Sequence, residues 1–201
     1  MKKLLMLLFA AITTMTFAQN KINYEWGNFD FLKGQTEVNV QLKFNNVVFH
    51  EKNLTEAEYL ENRKADITAK KGEAAWGNWA VQWGEFKECG YLEHFLNGIN
   101  NKSKKIVFKS NAATTYTLII DTKWVYAGWY GGFIGSQEGK LTSELAFVET
   151  DNPSKIIMKL QGDKILGKKM NSEFSWEYGR IAAAYEATGK LLGKAISKEI
   201  K

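Results

Sequence analysis

The stretch of sequence that decides the fold reads YTLIIDTKW and spans residues 116–124. The side chains from Tyr116 to Trp124 at every second position are apolar or β-branched. The intervening set, which includes Ile119, also contains β-branched residues. A strand that is covered on both faces needs such residues on both sides. We therefore predict a long strand here, in the centre of a sheet.

Three other segments show the same two-residue period. Residues 38–44 alternate between apolar and polar side chains, which is typical of a half-buried strand. Residues 141–147 and 156–160 repeat the pattern, and the turn-forming sequence DNPS at 151–154 separates them. Because only short links join the central strand to these last two, we expect the three to form an antiparallel meander.

Three helices are predicted. Thr55 and Glu58 have the spacing of a capping box, which opens a helix over about 56–70. A second helix is expected over about 74–96, where four aromatic residues recur at intervals of three and four. The aromatic residues of this second helix are Trp76, Trp79, Trp83 and Phe86. A long C-terminal helix is expected over about 172–198.

The order of these elements predicts the fold class. Strand, two helices, three strands and a helix indicate an α+β protein. We expect a mainly antiparallel sheet of about four strands, with helices packed on it and a long helix at the C-terminus. The chain has 201 residues, 45% of them apolar. It contains one Pro and one Cys, and we predict a single domain over residues 19–201.

The N-terminus has the pattern of an export signal. Two lysines precede an apolar run at 4–12, and small residues lead to a cleavage site after Ala18. Residues 1–18 are therefore predicted to be a signal peptide. The mature protein is then periplasmic, associated with the outer membrane, or extracellular. No later segment approaches the ~18 consecutive apolar residues of a membrane span, so none is predicted.

Charge and cysteine content exclude several classes of function. The formal net charge is +5, and Arg63 and Arg180 are the only arginines. A nucleic-acid-binding protein usually clusters arginines, so we predict no nucleic-acid partner. Cys89 is the only cysteine, so no intramolecular disulfide is possible. Its apolar neighbours predict a buried thiol.

The Gly-rich segment GWYGGFIGSQEGK at 128–140 is the most distinctive motif of the chain. Gly135 and Gly139 enclose three residues before the lysine, where a phosphate-binding loop needs four. We interpret the segment as a hairpin loop that joins two strands. Its aromatic residues, with two that precede it, are predicted to contact a partner, a sugar or a membrane surface, unless they fold back onto the sheet or core. This candidate interaction loop carries Trp124, Tyr126, Trp129, Tyr130 and Phe133.

Recognisable catalytic and metal-binding motifs are absent from the sequence. It contains no H-E-x-x-H, C-x-x-C or G-x-S-x-G pattern. We therefore predict no catalytic residue, no cofactor and no metal ligand. Acidic pairs on neighbouring strands, such as Asp121 with Glu144, keep a glycan hydrolase as an alternative. The aromatic stripe of the second helix fits either a hydrophobic core or a carbohydrate platform, and its helical spacing favours the core.

The chain resembles uncharacterised exported proteins of Bacteroidota over most of residues 30–198. The likeness lies in the stretches FLKGQTEVNVQLKF, TTYTLIIDTKWV, FVETDNPSKIIMKLQGDK and GRIAAAYEATGKLLGKAI. The meander followed by a helix rich in Ala, Gly and Lys is also similar to envelope α/β domains of accessory lipoproteins. Those proteins serve curli secretion and the activation of penicillin-binding proteins. The resemblance implies an adaptor role and transfers no site residue.

Together these features predict an exported, non-enzymatic envelope protein that acts as an interaction or adaptor module. The expected partner is an envelope protein, and contact with a membrane surface is also compatible with the loop. Two alternatives are a hydrolase of envelope glycans or peptidoglycan and a binder of small apolar ligands. The binder would contain an apolar cavity between sheet and helices.

Overall fold

A computed structural model describes residues 20–168 and 172–200 of the chain. The predicted signal peptide lies outside these residues. The strands are β1 Ile22–Trp26, β2 Glu37–Lys43, β3 Val48–Phe49, β4 Val107–Lys109, β5 Tyr116–Tyr126, β6 Trp129–Tyr130, β7 Ser136–Gln137, β8 Lys140–Glu149 and β9 Asn152–Leu166. The α-helices are α1 Glu56–Lys71, α2 Glu73–Glu85, α3 Tyr91–Asn100 and α4 Glu177–Glu199. Short 3₁₀ segments occupy Phe29–Leu32, Gly132–Ile134 and Ser172–Ser175.

Seven of the described strands form one mixed sheet in the order β1-β9-β8-β5-β2-β4, with β3 also paired to β5. The predicted central position of β5 is confirmed. It pairs antiparallel with β8, which pairs antiparallel with β9, so the predicted meander is also confirmed. On its other side, β5 runs parallel to β2 and β3.

The prediction of about four, mainly antiparallel strands was wrong. β3 and β4 have two and three residues, too few to show a two-residue period. β1 was not among the predicted strands, although it pairs with β9 at the sheet edge. The helices between β3 and β4 carry the chain back to the end of the sheet where β2 began, so β2, β4 and β5 run parallel.

Helices cover one face of the sheet. Along β8, Leu141, Leu145 and Phe147 are buried, whereas the alternate residues Thr142 and Glu144 are only half-buried. The buried set faces α4, whose Ile181, Tyr185 and Leu192 are completely inaccessible. The α+β class and the long C-terminal helix are therefore confirmed. Within residues 20–168 and 172–200, no helix combines the length and hydropathy needed to span a bilayer.

The predicted second helix is interrupted. α2 ends at Glu85, a π-helical turn spans Phe86–Gly90, and α3 follows. Trp79 and Trp83 are buried, with ring centroids 5.3 Å apart and nearly parallel planes. The core interpretation of this part of the aromatic stripe is therefore confirmed.

The closest helix contact is between α3 and α4. A Cβ atom at Gly98 would lie 2.1 Å from the backbone oxygen of Glu186, and one at Gly189 would lie 2.3 Å from that of Phe95. Real Cβ atoms do not approach so closely, so only glycine allows this spacing. Close packing of the two helices therefore depends on the absence of side chains at these positions.

Replacing Gly98 by alanine is expected to lower the free energy of unfolding by about 1–3 kcal/mol, because the helices must separate. Gly77→Ala is the matched control, since a Cβ at Gly77 meets nothing within 4 Å. We expect that variant to gain about 0.5–1 kcal/mol from the helix propensity of alanine. Urea unfolding of the two variants and the wild type measures both effects. Equal stability of the two variants would contradict the close packing.

The predicted capping box at the start of α1 is confirmed. The Thr55 hydroxyl accepts the backbone N–H of Glu58 at 3.3 Å, and the Glu58 carboxylate accepts the backbone N–H of Thr55 at 2.8 Å. The hydrogen bonds that the Thr55 backbone N–H and hydroxyl donate to this carboxylate lower the pKa of the Glu58 carboxyl. Their contribution to stability is therefore present above the usual glutamate pKa of about 4.3 and is lost as the pH falls through the lowered folded-state value.

Thr55→Ala is expected to lower the free energy of unfolding by about 1 kcal/mol at neutral pH. The difference from the wild type should shrink as the pH falls from about 4.3 through the lowered pKa of Glu58, because the Thr55 hydroxyl then no longer donates to a charged carboxylate. Chemical unfolding measured from pH 7 to pH 3 checks this dependence. A difference that stays constant down to pH 3 would show that the carboxylate takes no part in the cap.

Candidate functional site

The Gly-rich segment forms the hairpin predicted from the sequence. β6 and β7 pair antiparallel, and the short 3₁₀ segment between them makes the tip. Gly128 starts the hairpin with a φ of +65°, and a Cβ there would lie 2.2 Å from the backbone oxygen of Gln137. The turn out of β5 therefore requires glycine.

The five predicted loop residues divide into two groups. Trp124 and Tyr126 belong to β5 and are half-buried. The Trp124 indole N–H donates to the backbone oxygen of His50 at 2.9 Å, and the Tyr126 hydroxyl donates to Gln137 at 2.6 Å. These two hydrogen bonds within the protein hold both rings in place.

The second group projects from the hairpin. Trp129 and Tyr130 are each 43% exposed, and the Phe133 side chain is completely exposed. Ile134 follows Phe133 at the tip and is also almost wholly exposed. The sequence did not single out Ile134, although it is adjacent to Phe133 in the same motif. Trp129 and Tyr130 lie at the base of the hairpin and also form part of a cleft.

This cleft lies between the helices α1 and α2 on one side and the hairpin base and residues 175–178 on the other. Its volume is about 760 Å³. The aromatic residues of the cleft are Trp79, Trp129, Tyr130, Trp176 and Tyr178, and its charged residues are Arg63, Asp66, Lys70, Lys71, Glu177 and Arg180. We call it the α1–α2 cleft. Loop and helix residues that are distant in sequence meet there.

Arg180 fixes two walls of the α1–α2 cleft. It lies in the first turn of α4 and is only 3% exposed. Its Nε donates to the backbone oxygen of Ala127 at 2.7 Å. Its Nη1 donates to those of Phe174 and Ser175, both at 3.0 Å. Burial lowers the pKa of this guanidinium, while the nearby Glu177 raises it. Arg180 therefore connects the end of β5, the segment before α4 and α4 itself.

Glu177 joins two further residues of the cleft. Its carboxylate pairs with Arg63 at 2.6 Å and accepts the indole N–H of Trp79 at 2.8 Å. Arg63 also bonds Asp66 at 3.1 Å, and its guanidinium lies 5.9 Å from the centre of the Trp79 ring. Both arginines of the chain therefore converge near one carboxylate, and their partners hold them in fixed positions.

Three buried polar atoms near this cluster have no hydrogen-bond partner among the described residues. They are Nε2 of His50, the hydroxyl of Tyr59 and Nε of Arg63. Burial lowers the pKa of His50 and raises that of Tyr59, so both are neutral at neutral pH. The charges of Glu177 and Arg63 act on both pKa values. Of these three residues, only Arg63 lines the cleft.

Cys89 and His94, whose side chains could act as a nucleophile or a base, do not line this cleft. Cys89 is exposed, so its predicted burial was wrong. His94 lies 3.3 Å from Glu173 and 3.5 Å from Glu186. Within the described ranges, no group of three or more His, Cys, Asp or Glu side chains could hold a metal ion.

The acidic pair considered for hydrolysis is part of a charge ladder on the sheet. Asp121 and Glu144 are opposite each other in register, as expected for neighbouring strands. Lys123 lies 2.6 Å from Asp121, and Lys159 lies 3.4 Å from Glu144. The two carboxylates are thus paired with lysines.

Sequence reasoning missed the α1–α2 cleft. The scarcity of arginines was used only as evidence against nucleic-acid binding. The segment SEFSWEYGR at 172–180 was predicted to be the start of the C-terminal helix. One available signal was the grouping of Trp176, Glu177 and Arg180 around a helix start. Their convergence with Arg63, more than a hundred positions earlier, depends on tertiary structure.

Comparisons with known proteins assign the chain to no family. No family model matches it, and no curated protein matches its sequence. Among solved structures, it is similar to a PelC dodecamer from Paraburkholderia phytofirmans, with 11% sequence identity and a TM-score of 0.39. The match covers 88% of this chain and 96% of that chain.

Arg180→Lys is expected to lower the free energy of unfolding by about 2–4 kcal/mol. A lysine ammonium group cannot replace the several N–H donors of the arginine guanidinium. The buried backbone oxygens that accept from Arg180 therefore lose hydrogen-bond partners. Arg63→Lys, which changes a more exposed arginine of the same cluster, is the control and should cost less. Urea unfolding gives the free energies. Equal losses at the two positions would contradict the role assigned to Arg180.

Proposed function

We propose that this protein is an exported, non-enzymatic module of the cell envelope that binds a protein partner through the tip of the β6–β7 hairpin. The observation that carries the proposal is the exposure of Phe133 and Ile134, which are 112% and 89% accessible. Exposure of two neighbouring large apolar side chains to water is unfavourable unless a partner covers them. Burying both would contribute roughly 3–5 kcal/mol to association.

The construction of the hairpin supports a binding role. Below the tip, the backbone N–H of Gly131 donates to the oxygen of Gly135 at 2.9 Å, and Tyr126 bonds Gln137. These hydrogen bonds close the hairpin below its tip, where Phe133 and Ile134 project. A loop that is ordered before binding loses less conformational entropy on association.

The distribution of reactive groups favours contact over catalysis as the mode of action. The carboxylates that face each other on the sheet are paired with lysines, and Cys89 bonds the backbone oxygen of Glu85. Export is supported by the basic and apolar pattern of residues 1–18. The sequence resemblance to envelope adaptor domains is consistent with this role.

The double variant Phe133→Ser/Ile134→Ser tests the proposal. A photo-crosslinking residue is placed at Ser136, next to the tip, in the wild-type and variant backgrounds expressed in the native envelope. We expect a discrete protein adduct in the wild-type background and its loss in the variant, with an unchanged far-UV spectrum. Val81→Ser is the matched control, since Val81 is 60% exposed on α2.

Two outcomes would contradict the proposal. One is an adduct that survives the double substitution unchanged. The other is binding of the wild type, but not the variant, to vesicles of phosphatidylethanolamine and phosphatidylglycerol without any protein adduct. That result would identify the tip as a membrane contact instead.

A further inference from the structure

Five aromatic rings line the α1–α2 cleft. Trp176 is 48% exposed and Trp129 is 43% exposed, so part of each ring is accessible to solvent. Tyr178 stacks on the Trp176 ring, with centroids 6.1 Å apart. Trp79 is buried with its indole N–H committed to Glu177, so its ring is fixed in the wall. Aromatic faces offer large apolar contact at low cost in side-chain entropy. Such walls suit a flat ligand that has apolar faces.

Polar groups are interspersed with these rings. The Arg63 guanidinium lines the cleft, and Asn78 and Asp66 contribute an exposed amide and an exposed carboxylate. A purely apolar ligand would desolvate these groups without replacing their hydrogen bonds, which is unfavourable. The ligand should therefore carry many hydroxyl groups around its edge.

We propose that the α1–α2 cleft binds a short saccharide. A pyranose ring has C–H faces that pack on aromatic rings and an equatorial edge of hydroxyls that both donate and accept hydrogen bonds. This division matches the apolar walls and the polar groups of the cleft. The volume of about 760 Å³ lies within the usual range for ligand sites, roughly 300–1,000 Å³. The inference does not depend on the partner proposed for the hairpin tip.

Fixed side chains support binding in this cleft. Glu177 holds Arg63 and Trp79, while Arg180 holds the segments that carry Trp129 and Trp176. These residues are positioned by the fold before a ligand arrives. Little ordering is therefore required on binding, which raises the affinity available from a few contacts.

The charge at the cleft rim predicts which saccharides bind more tightly. Lys70 and Lys71 are exposed there, with Lys71 5.9 Å from the centre of the Trp176 ring and Lys70 4.0 Å from Asp66. Inside the cleft, Glu177 balances the charge of Arg63, so Asp66 can compensate only one of the two rim lysines. The surplus positive charge at the rim favours a carboxylate-bearing sugar over a neutral one, and a neutral one over a cationic one.

Isothermal titration with tetragalacturonate, cellotetraose and a chitosan tetramer tests the proposal on the mature protein. We expect measurable binding in that order of affinity. Trp176→Ala should weaken the tightest interaction by at least about tenfold, because one aromatic wall is lost. Trp26→Ala is the matched control, since Trp26 is 47% exposed on β1 and does not line the cleft.

A second pair of variants tests the contribution of charge. Lys70→Gln/Lys71→Gln should lower the affinity for tetragalacturonate by a larger factor than the affinity for cellotetraose, so that the preference between the two is lost. Phe133→Ser/Ile134→Ser should change neither affinity, so failure at the tip and failure at the cleft can be told apart.

Three results would overturn the saccharide site. The first is the absence of binding by all three oligosaccharides to a folded wild type. The second is binding that Trp176→Ala and Trp26→Ala reduce equally. The third is binding of laurate that is tighter than that of every oligosaccharide and is lost in Trp176→Ala, which would identify an apolar ligand instead.

Discussion

The buried guanidinium of Arg180 is the interaction on which the arrangement of this protein depends. Removing a charged group from water is costly, and the cost is offset only if its donors find acceptors. Here the acceptors are backbone oxygens of Ala127, Phe174 and Ser175. Because these oxygens belong to the end of the central strand and to the segment before α4, one side chain joins both to the helix.

The position of α4 in turn depends on close backbone packing. Glycines at its contact with α3 allow a separation that side chains would prevent. The Tyr185 hydroxyl shares a 2.5 Å hydrogen bond with Thr122 of β5, which satisfies both groups inside the core. α4 is thereby fixed to the sheet and to α3, and its first turn carries Glu177 and Arg180 to the cleft. The cleft and the hairpin are therefore attached to the closely packed contact of α4 with α3 and the sheet.

Local patterns in the sequence predicted the parts of the fold that local physics determines. The β-branched residues around Ile119 identified the central strand, and the spacing of Thr55 and Glu58 identified the start of α1. The parallel pairing of β2 with β5 was missed because it depends on the path of the helices between them. For the candidate site, the aromatic hairpin was visible as a motif, whereas the meeting of Arg63 with Glu177 was not, since it joins separate helices.

The two proposed contact surfaces, the apolar hairpin tip and the α1–α2 cleft, both lie next to the segments that Arg180 holds. Nitrogen-15 NMR of the guanidinium groups tests this role of Arg180 most directly, because the chain contains only two arginines. We predict a slowly exchanging Nε proton for Arg180 and separate resonances for its Nη protons, since carbonyl oxygens restrict its rotation. A rapidly exchanging Nε proton with a single averaged Nη signal for Arg180 would contradict the account.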